Sequence, residues 1–218
     1  KALLVCNNEA QAIMPRKWSE KTQIFPVSGI SSEDFDHRPV EQHPAGQFRV
    51  LSAGSLIRIK GFSLTIRAFK EFAERHPEAY LSIVGSGPEE PSLRDLIQRK
   101  GIYDRVDLLQ SMPREQLLGM MAACDVFLFP SLRDGGGTVV IEAMALGRPV
   151  ICLDTGGPGM HITECCGLKI TPGTPDETAS KLTEALDKLY LDADLRKTLG
   201  TAAKKKIERH YLWDRLGD

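Results

Sequence analysis

The chain has 218 residues, of which 42% are hydrophobic and 26% charged, and its formal net charge is -1. This composition is typical of a globular protein with a sizeable core. The near-neutral charge predicts no nucleic-acid partner, and no apolar run approaches the roughly 20 residues that cross a bilayer.

The beginning of the chain differs from the rest. Short elements are predicted first, with strands at residues 2–6 and 23–27 and a helix at residues 8–16. Residues 31–47 are polar, contain two prolines and predict a linker. Because Lys1 already lies in an apolar, strand-like segment, we expect a piece cut from a longer polypeptide. We assign residues 1–47 to the tail of a preceding domain and its linker, and residues 48–218 to a second domain.

From residue 48 onward, short apolar strands alternate with amphipathic helices. The predicted strands cover residues 48–53, 79–84, 106–109, 125–129, 149–153 and 167–170. The predicted helices cover residues 61–75, 91–100, 113–123, a stretch ending at Gly147, 174–191 and 192–210. Short connections in such an alternation require right-handed crossovers. We therefore predict a doubly wound α/β domain, with a parallel sheet covered by helices on both faces.

The cysteines and acidic residues predict neither a disulfide framework nor a metal site. The five cysteines have no metal-ligand spacing, and an odd count without a framework predicts a reducing, cytoplasmic compartment. No Asp-x-Asp pair stands in a suitable loop. We therefore predict a metal-independent site that uses no cofactor.

The most informative segment contains the consecutive glycines Gly135, Gly136 and Gly137, between an apolar strand and a helix. A glycine loop at a helix N-terminus presents backbone N–H groups and partial positive charge, which favours phosphate. Glu142, a turn into that helix, is suited to accept hydrogen bonds from sugar hydroxyls. Together they predict a nucleotide-sugar pocket, and a plain flexible turn is the alternative.

Other loops follow strands at the same sheet edge, where ligands of parallel sheets bind. Lys60 stands just before a helix and is a candidate to neutralise an anion, with a solvated helix start as the alternative. The Gly-Ser-Gly segment at residues 85–87 predicts a tight turn, because it lacks the third glycine of a dinucleotide fingerprint. For His161 we predict a surface or loop position rather than one beside the pocket.

Several segments resemble, in order and spacing, the family-4 (group 1) retaining glycosyltransferases. They are GSL at residues 54–56 with Lys60 and Gly61, IVGSGP at 83–88, DVFLFPS at 125–131, EAMALGRPVI at 142–151, and the region of Trp213. The resemblance implies a GT-B architecture of two facing Rossmann-like domains, with the donor nucleotide-sugar bound mostly by the C-terminal one. It implies that this chain is the donor half, inactive alone because the acceptor wall is absent.

The resemblance also implies a role for each matched position. Among the catalytic positions, Glu142 matches the glutamate that holds the ribose hydroxyls, and Asp134 the carboxylate that contacts hydroxyls of the donor sugar. Lys60 matches the lysine that neutralises the diphosphate. The other donor-binding positions are Gly54, Ser55, Met112 with its neighbour Ser111, Gly135, Gly136, Gly137 and Thr138. The backbone at residues 111–112 is implied to meet the base, and the amides of residues 135–138 the sugar and diphosphate.

Some positions depart from the family pattern. Ser55 stands where the family usually has arginine, which removes one of two cations from the diphosphate, and Arg58 is predicted to replace it. Asp134 is one methylene shorter than the usual glutamate, and Gly136 replaces the usual aromatic residue. We interpret these departures as a changed donor geometry.

The predicted activity is transfer of a hexosyl group from a nucleotide-diphosphate sugar, with retention of configuration, to an unidentified saccharide or lipid-linked saccharide. A nucleotide-sugar epimerase of the same architecture and a non-catalytic nucleotide-sugar binding module are the alternatives. The basic run at residues 204–206 predicts a solvated helix face, with contact to a membrane surface as the alternative. The predicted location is the cytoplasm. The alternative of membrane contact adds the inner face of the membrane to that location.

Overall fold

The computed structural model describes residues 4–6, 22–24, 29–35, 37 and 46–213. Strands β1 (Leu4–Cys6) and β2 (Thr22–Ile24), both expected from the sequence, pair in parallel. The helix predicted at residues 8–16 and most of the predicted linker lie outside the described residues.

The second domain contains the alternating strands and helices that the sequence predicts. The strands of its sheet are β3 (Phe48–Ala53), β4 (Ala79–Val84), β5 (Val106–Leu109), β6 (Val126–Phe129), β7 (Val150–Leu153) and β8 (Gly167–Ile170). The helices are α1 (Phe62–Arg75), α2 (Glu90–Arg99), α3 (Arg114–Ala123), α4 (Thr138–Ala145), α5 (Gly156–His161), α6 (Pro175–Leu191) and α7 (Ala193–His210).

The sheet is parallel throughout and is covered on both faces, which confirms the doubly wound α/β prediction. Its strand order is β5-β4-β3-β6-β7-β8. Along β6, Val126 and Leu128 belong to one hydrophobic cluster, whereas Phe127 and Phe129 belong to the other. Because successive strand side chains point to opposite faces, β6 is buried from both sides.

The strand order reverses between β3 and β6, which are neighbours in the sheet but far apart in the chain. Chain segments that leave the carboxyl ends of two such strands diverge to opposite faces, and the crevice between them is where open α/β sheets bind ligands. The loop after β3 carries Lys60, and the loop after β6 carries the three glycines. The topology therefore brings the two most informative loops of the sequence to one crevice.

Helix α6 begins as its local sequence indicates, whereas helix α5 has no signal in the sequence. The Thr174 side chain accepts from the amide of Glu177 and the Glu177 side chain accepts from the amide of Thr174, which forms a capping box at the start of α6. Helix α5 was not predicted from the sequence. Its first residues are Gly-Gly-Pro-Gly, a composition that indicates a turn.

Residues 29–35 pack against the second domain, although residues 31–47 were predicted as a linker. Ile30 is buried, donates to the carbonyl of Tyr211 (2.9 Å) and accepts from the amide of Trp213 (3.2 Å). The segment continues into a short 3-10 turn, Ser32–Phe35, in which Asp34 is buried. The start of the predicted linker is therefore part of the edge of this domain.

Candidate functional site

Two loops at the strand-order reversal are held together by their backbones. The amide of Leu132 and the hydroxyl of Ser131 donate to the carbonyl of Ile59, at 2.8 Å and 3.2 Å. Gly61 has a left-handed backbone with φ of 72°, and a Cβ atom there would overlap the carbonyl oxygen of Pro130. Only glycine fits this approach. The contact holds Lys60, at the end of the 3-10 turn Arg58–Lys60, against the loop after β6.

Lys60 and Asp134 form an ion pair across this contact. The Lys60 ammonium donates to one carboxylate oxygen of Asp134 and lies 5.5 Å from the ring centroid of Phe129. Both side chains are mostly covered, with 19% and 12% of their surfaces exposed. Burial alone would raise the pKa of Asp134, but hydrogen bonds from Lys60 and the glycine amides, with the lysine charge, lower it. Asp134 is therefore a fixed anion at neutral pH.

The second oxygen of Asp134 organises the glycine loop. It accepts from the amides of Gly136 (3.1 Å) and Gly137 (2.8 Å). Gly137 has φ of 63° and stands immediately before α4, which begins at Thr138. Two amides that the sequence assigns to the donor therefore bind Asp134 in this structure, while Gly135 and Thr138 lie exposed at the surface of the loop.

Helix α5 packs against the glycine loop. The amide of Gly157 donates to the Asp134 carbonyl (2.8 Å), and a Cβ atom at Gly157 would crowd the carbonyl oxygen of Gly135. His161, at the end of α5, lies 2.6 Å from the carbonyl oxygen of Gly136 through its Nε2. The predicted surface or loop position of His161 is wrong, because only 6% of it is exposed.

Glu142 lies inside α4 and is paired with an arginine that the sequence reasoning missed. Arg114, the first residue of α3, donates from Nε to Glu142 (2.7 Å) and from Nη1 to Asp34 (2.6 Å). Burial raises the pKa of Glu142, and Arg114 opposes that rise. At Asp34, burial is outweighed by the same arginine together with the Ser31 amide and His37, so the pKa of that carboxyl is lowered. No local sequence pattern predicts the pairing of Asp34, because its partner Arg114 is 80 positions away in the chain.

A cleft of about 160 Å³ brings four of the predicted donor-site residues together. Its lining residues are Gly54, Ser55, Val84, Gly85, Ser86, Ser111, Met112 and Leu117. The hydroxyl of Ser86 accepts from the amide of Ser111 (3.1 Å), which fixes the rim. Gly85 is required by the close approach of the Gly54 carbonyl, since a Cβ atom would overlap it. The tight turn of this loop lies at its end, where the amide of Glu90 donates to the carbonyl of Gly87 (3.1 Å).

Arg58 begins the 3-10 turn that ends at Lys60, and its side chain is exposed. Its carbonyl accepts from the amide of Gly61 (3.2 Å), so its backbone helps to close the turn. The replacement of the missing family arginine by Arg58 stays a prediction. Arg114, which already binds two carboxylates, is a second arginine next to the candidate site.

Membrane-spanning helices and metal-binding clusters are absent from the described part of the chain. In residues 46–213 and the short segments before them, no helix has the length and apolar character that a bilayer span requires. Within those same ranges, no cluster of three or more His, Cys, Asp or Glu side chains is arranged to hold a metal ion. The arrangement at the sheet edge is instead a cation, two carboxylates and a helix N-terminus around an open crevice.

Comparison with known proteins gives consistent matches. Residues 33–206 match the family model described as glycosyl transferases group 1. The chain is 35% identical over 168 residues to a D-inositol 3-phosphate glycosyltransferase from Corynebacterium jeikeium, a match covering 73% of this chain and 39% of that protein. It is 31% identical over 170 residues to a GDP-mannose-dependent monoacylated alpha-(1-6)-phosphatidylinositol monomannoside mannosyltransferase from Corynebacterium glutamicum, covering 75% and 43%.

A solved structure shares the fold. The pneumococcal O-GlcNAc transferase GtfA, in complex with UDP and GlcNAc, superposes with a TM-score of 0.82 at 20% identity, covering 98% of this chain and 43% of that one. This chain thus spans less than half the length of the curated relatives it matches.

Proposed function

The chain belongs to the group 1 glycosyltransferases, and we propose that it forms the donor-binding half of an enzyme that transfers a hexosyl group from a nucleotide-diphosphate sugar. The observation that carries the proposal is the Lys60–Asp134 pair, which lies where the strand order reverses and beside the start of α4. A cation and a helix N-terminus suit phosphate, and a carboxylate suits hydroxyls. A nucleotide-sugar carries both groups side by side.

Charge development explains how this site would assist transfer. Breaking the bond between sugar and phosphate builds negative charge on the departing nucleoside diphosphate and positive charge on the sugar ring. Lys60 is already fixed by Asp134, so its ammonium needs little rearrangement to stabilise the leaving group. An ammonium has three donors, and Asp134 uses one of them. We assign the diphosphate to Lys60 and to the amides of Gly135 and Thr138, because Asp134 holds the amides of Gly136 and Gly137. We assign the sugar hydroxyls to Asp134.

The rest of the donor extends from the diphosphate toward the cleft. We propose that Glu142 binds the ribose hydroxyls and that the backbone at residues 111–112 meets the base, beside Gly54 and Ser55 in the cleft. The relative that depends on GDP-mannose and the similarly folded transferase solved with UDP support a nucleoside diphosphate as the ligand class.

The acceptor and the domain organisation are part of the same proposal. We propose a GT-B enzyme in which residues 1–47 close a preceding domain, and in which that domain supplies the wall for a saccharide or lipid-linked saccharide acceptor. Transfer would retain configuration and would need no metal or cofactor. Among the side chains that the structure describes, the cysteines at positions 124, 152, 165 and 166 are free. The location that we propose is the cytoplasm.

The basic run on α7 is partly used within the domain. Lys204 donates to the carbonyl of Phe35 (3.4 Å), and Lys206 to the carbonyl of His161 (2.7 Å). Lys205 is exposed. These contacts favour a structural and solvated role for the basic run over contact with a membrane surface.

Thermal stabilisation of the full-length polypeptide by a panel of UDP-, GDP- and ADP-linked sugars tests the proposal. A ligand that binds only the folded state raises the midpoint of unfolding, so the true donor should give the largest rise. The donor identified in this way is then incubated with candidate acceptors, and transfer is followed against release of free nucleoside diphosphate. If no member of the panel shifts the midpoint, the donor-site proposal is wrong.

A second candidate function is a nucleotide-sugar binding module without turnover. Ser55 favours it, because the family's usual arginine is missing from the diphosphate side of the cleft. Binding without transfer would support this candidate. A product that stays linked to the nucleotide would instead support the epimerase.

A further inference from the structure

The peptide unit between Gly136 and Gly137 is held at both ends by side chains from different parts of the chain. Its carbonyl oxygen, on Gly136, lies 2.6 Å from Nε2 of His161. Its N–H, on Gly137, donates to Asp134 at 2.8 Å. A peptide between two glycines has little intrinsic resistance to flipping, because neither residue carries a Cβ atom. Its orientation must therefore come from His161 and Asp134.

The hydrogen-bond chemistry assigns the imidazole to one tautomer. A backbone carbonyl only accepts, so Nε2 of His161 must carry the proton that it donates to Gly136. In the neutral ring the other nitrogen, Nδ1, is then an acceptor, and it lies 2.9 Å from the hydroxyl of Tyr211. The Tyr211 hydroxyl therefore donates to Nδ1. The Gly136 carbonyl therefore fixes the tautomer, and the Tyr211 hydroxyl satisfies the second nitrogen of that tautomer.

The surroundings keep the ring neutral. Burial lowers the pKa of His161, the nearby Lys206 charge lowers it further, and the bond to Gly136 and the Asp134 charge only partly oppose this. Lys206 from α7 donates to the His161 carbonyl, and the thiol of Cys166 lies 3.9 Å from the same oxygen. With Tyr211 and Asp134, these are the titratable groups that face the histidine.

We propose that His161 is a positioning residue that locks the Gly136–Gly137 peptide with its N–H toward Asp134, and through Asp134 sets the position of the Lys60 ammonium. The proposal deepens the function proposed above and rests on it for its ligand. In the flipped peptide, the Gly136 carbonyl would face the Asp134 carboxylate, and two acceptors would oppose each other. Asp134 would then turn away and release Lys60 from the place where the diphosphate binds.

Four variants of the full-length polypeptide test this role: His161→Leu, His161→Gln, Tyr211→Phe and the control His210→Leu. His161→Leu removes the donor, whereas the amide of Gln keeps one of similar reach. His210 lies one position before Tyr211 but is exposed. Kd is measured for UDP and for GDP, and amide exchange of Gly137 is measured without nucleotide.

We expect His161→Leu to weaken binding of the preferred nucleoside diphosphate about 10-fold and to speed Gly137 exchange by a similar factor, as for one lost hydrogen bond to a buried carbonyl. His161→Gln should restore both to within about 3-fold, because its amide can donate to the same carbonyl. Tyr211→Phe should lie between them, and His210→Leu should match the wild type. A histidine that only fills the core would not be rescued by Gln in this pattern.

Nitrogen NMR of labelled His161 provides a reading that does not depend on folding of the leucine variant. The wild type should show the tautomer with the proton on Nε2. An Nδ1–H tautomer, or unchanged Gly137 exchange in a folded His161→Leu, would overturn the proposal. If the wild type binds neither UDP nor GDP, the proposed function fails, while the exchange and tautomer measurements still decide the role of His161.

Discussion

Asp134 and Glu142 have opposite electrostatic settings, although both are carboxylates in one loop-and-helix segment and both are paired with a cation. The pKa of Asp134 is lowered, because its donors outweigh its burial. The pKa of Glu142 is raised, because burial dominates over its single arginine partner and because Asp34 lies nearby. Asp134 therefore stays ionised and holds the glycine loop together. Glu142 is protonated more easily, and Arg114 stabilises its charged form.

The difference shows how one site can separate structure from ligand binding. Asp134 shapes the glycine-loop side of the crevice through Lys60 and the glycine amides. Glu142 is buried inside a helix, and Arg114 offsets part of the cost of its charge. Substitutions that affect Asp134 and substitutions that affect Glu142 should therefore have different consequences for stability and activity.

Replacement of Lys60 should give the largest effect on activity. We expect Lys60→Ala in the full-length polypeptide to lower turnover by about 10²–10³, the usual cost of losing one preorganised charge stabiliser. Thermal unfolding should change much less, because Asp134 keeps the two glycine amides as partners. Initial rates of transfer and the midpoint of unfolding measure both quantities.

Lys70→Ala is the matched control for that experiment. Lys70 lies in α1, the helix that follows the turn containing Lys60, and forms a surface pair with Glu74. Exposed pairs of this kind contribute little to stability. Turnover that is equal in the two variants would remove Lys60 from the mechanism.

Replacement of Asp134 should affect stability as well as binding. Asp134→Ala leaves Lys60 without its carboxylate and the amides of Gly136 and Gly137 without their acceptor. We expect the free energy of unfolding to fall by about 2 kcal/mol, within the range for hydrogen bonds to a charged group. Urea unfolding gives this value, and Asp95→Ala, in an exposed pair with Arg99, is the control. A loss equal to that of the control would show that Asp134 does not organise the loop.

Replacement of Arg114 tests the other carboxylate. Arg114→Leu removes the cation from Glu142, so the pKa of Glu142 should rise further. We expect a loss of about 1–2 kcal/mol in unfolding free energy at pH 7, below the value for a fully buried pair because the guanidinium is half exposed. Arg94→Leu, which breaks an exposed pair with Glu90, is the control.

The pH dependence of that loss has a definite sign. A carboxyl whose pKa is raised on folding destabilises the fold as pH rises through that pKa, because the folded state holds the proton more tightly. The lowered pKa of Asp34 gives the wild type stability that it loses on acidification. Both effects make the deficit of Arg114→Leu shrink as pH falls from 7 toward 4. A deficit that grows on acidification would contradict the role of Arg114.

The contrast also explains which parts of the molecule can be predicted from sequence. The strands of the large sheet are recognisable because each is a short apolar run between turn residues, and β6 is apolar at every position. The glycine loop and Lys60 are recognisable because they follow such strands. Helix α5 is not, because Gly-Gly-Pro-Gly has low helix propensity and tertiary contacts with the glycine loop determine its structure.

The partners of the site residues are less predictable than the residues themselves. Arg114 meets Glu142 across 28 positions and Asp34 across 80, and His161 meets Tyr211 across 50. No local pattern encodes such contacts, since they depend on the order of strands in the sheet. Asp34 belongs to a segment whose polar composition indicates a linker, so its burial is visible only in three dimensions.

Ser55 offers the smallest and most specific change. It is exposed at the cleft, and Ser55→Arg would introduce the charge that the family resemblance implies at this position. We expect affinity for UDP or GDP to rise about fivefold or less, as for one solvent-exposed ion pair, and the gain to shrink at high salt. Thr201→Arg, which adds the same charge at an exposed position of α7, should give no gain. Because an arginine at position 55 would share the charge of the proposed diphosphate with Lys60, Ser55→Arg should also lessen the cost of Lys60→Ala. Equal costs of Lys60→Ala in the two backgrounds would mean that positions 55 and 60 do not share a ligand.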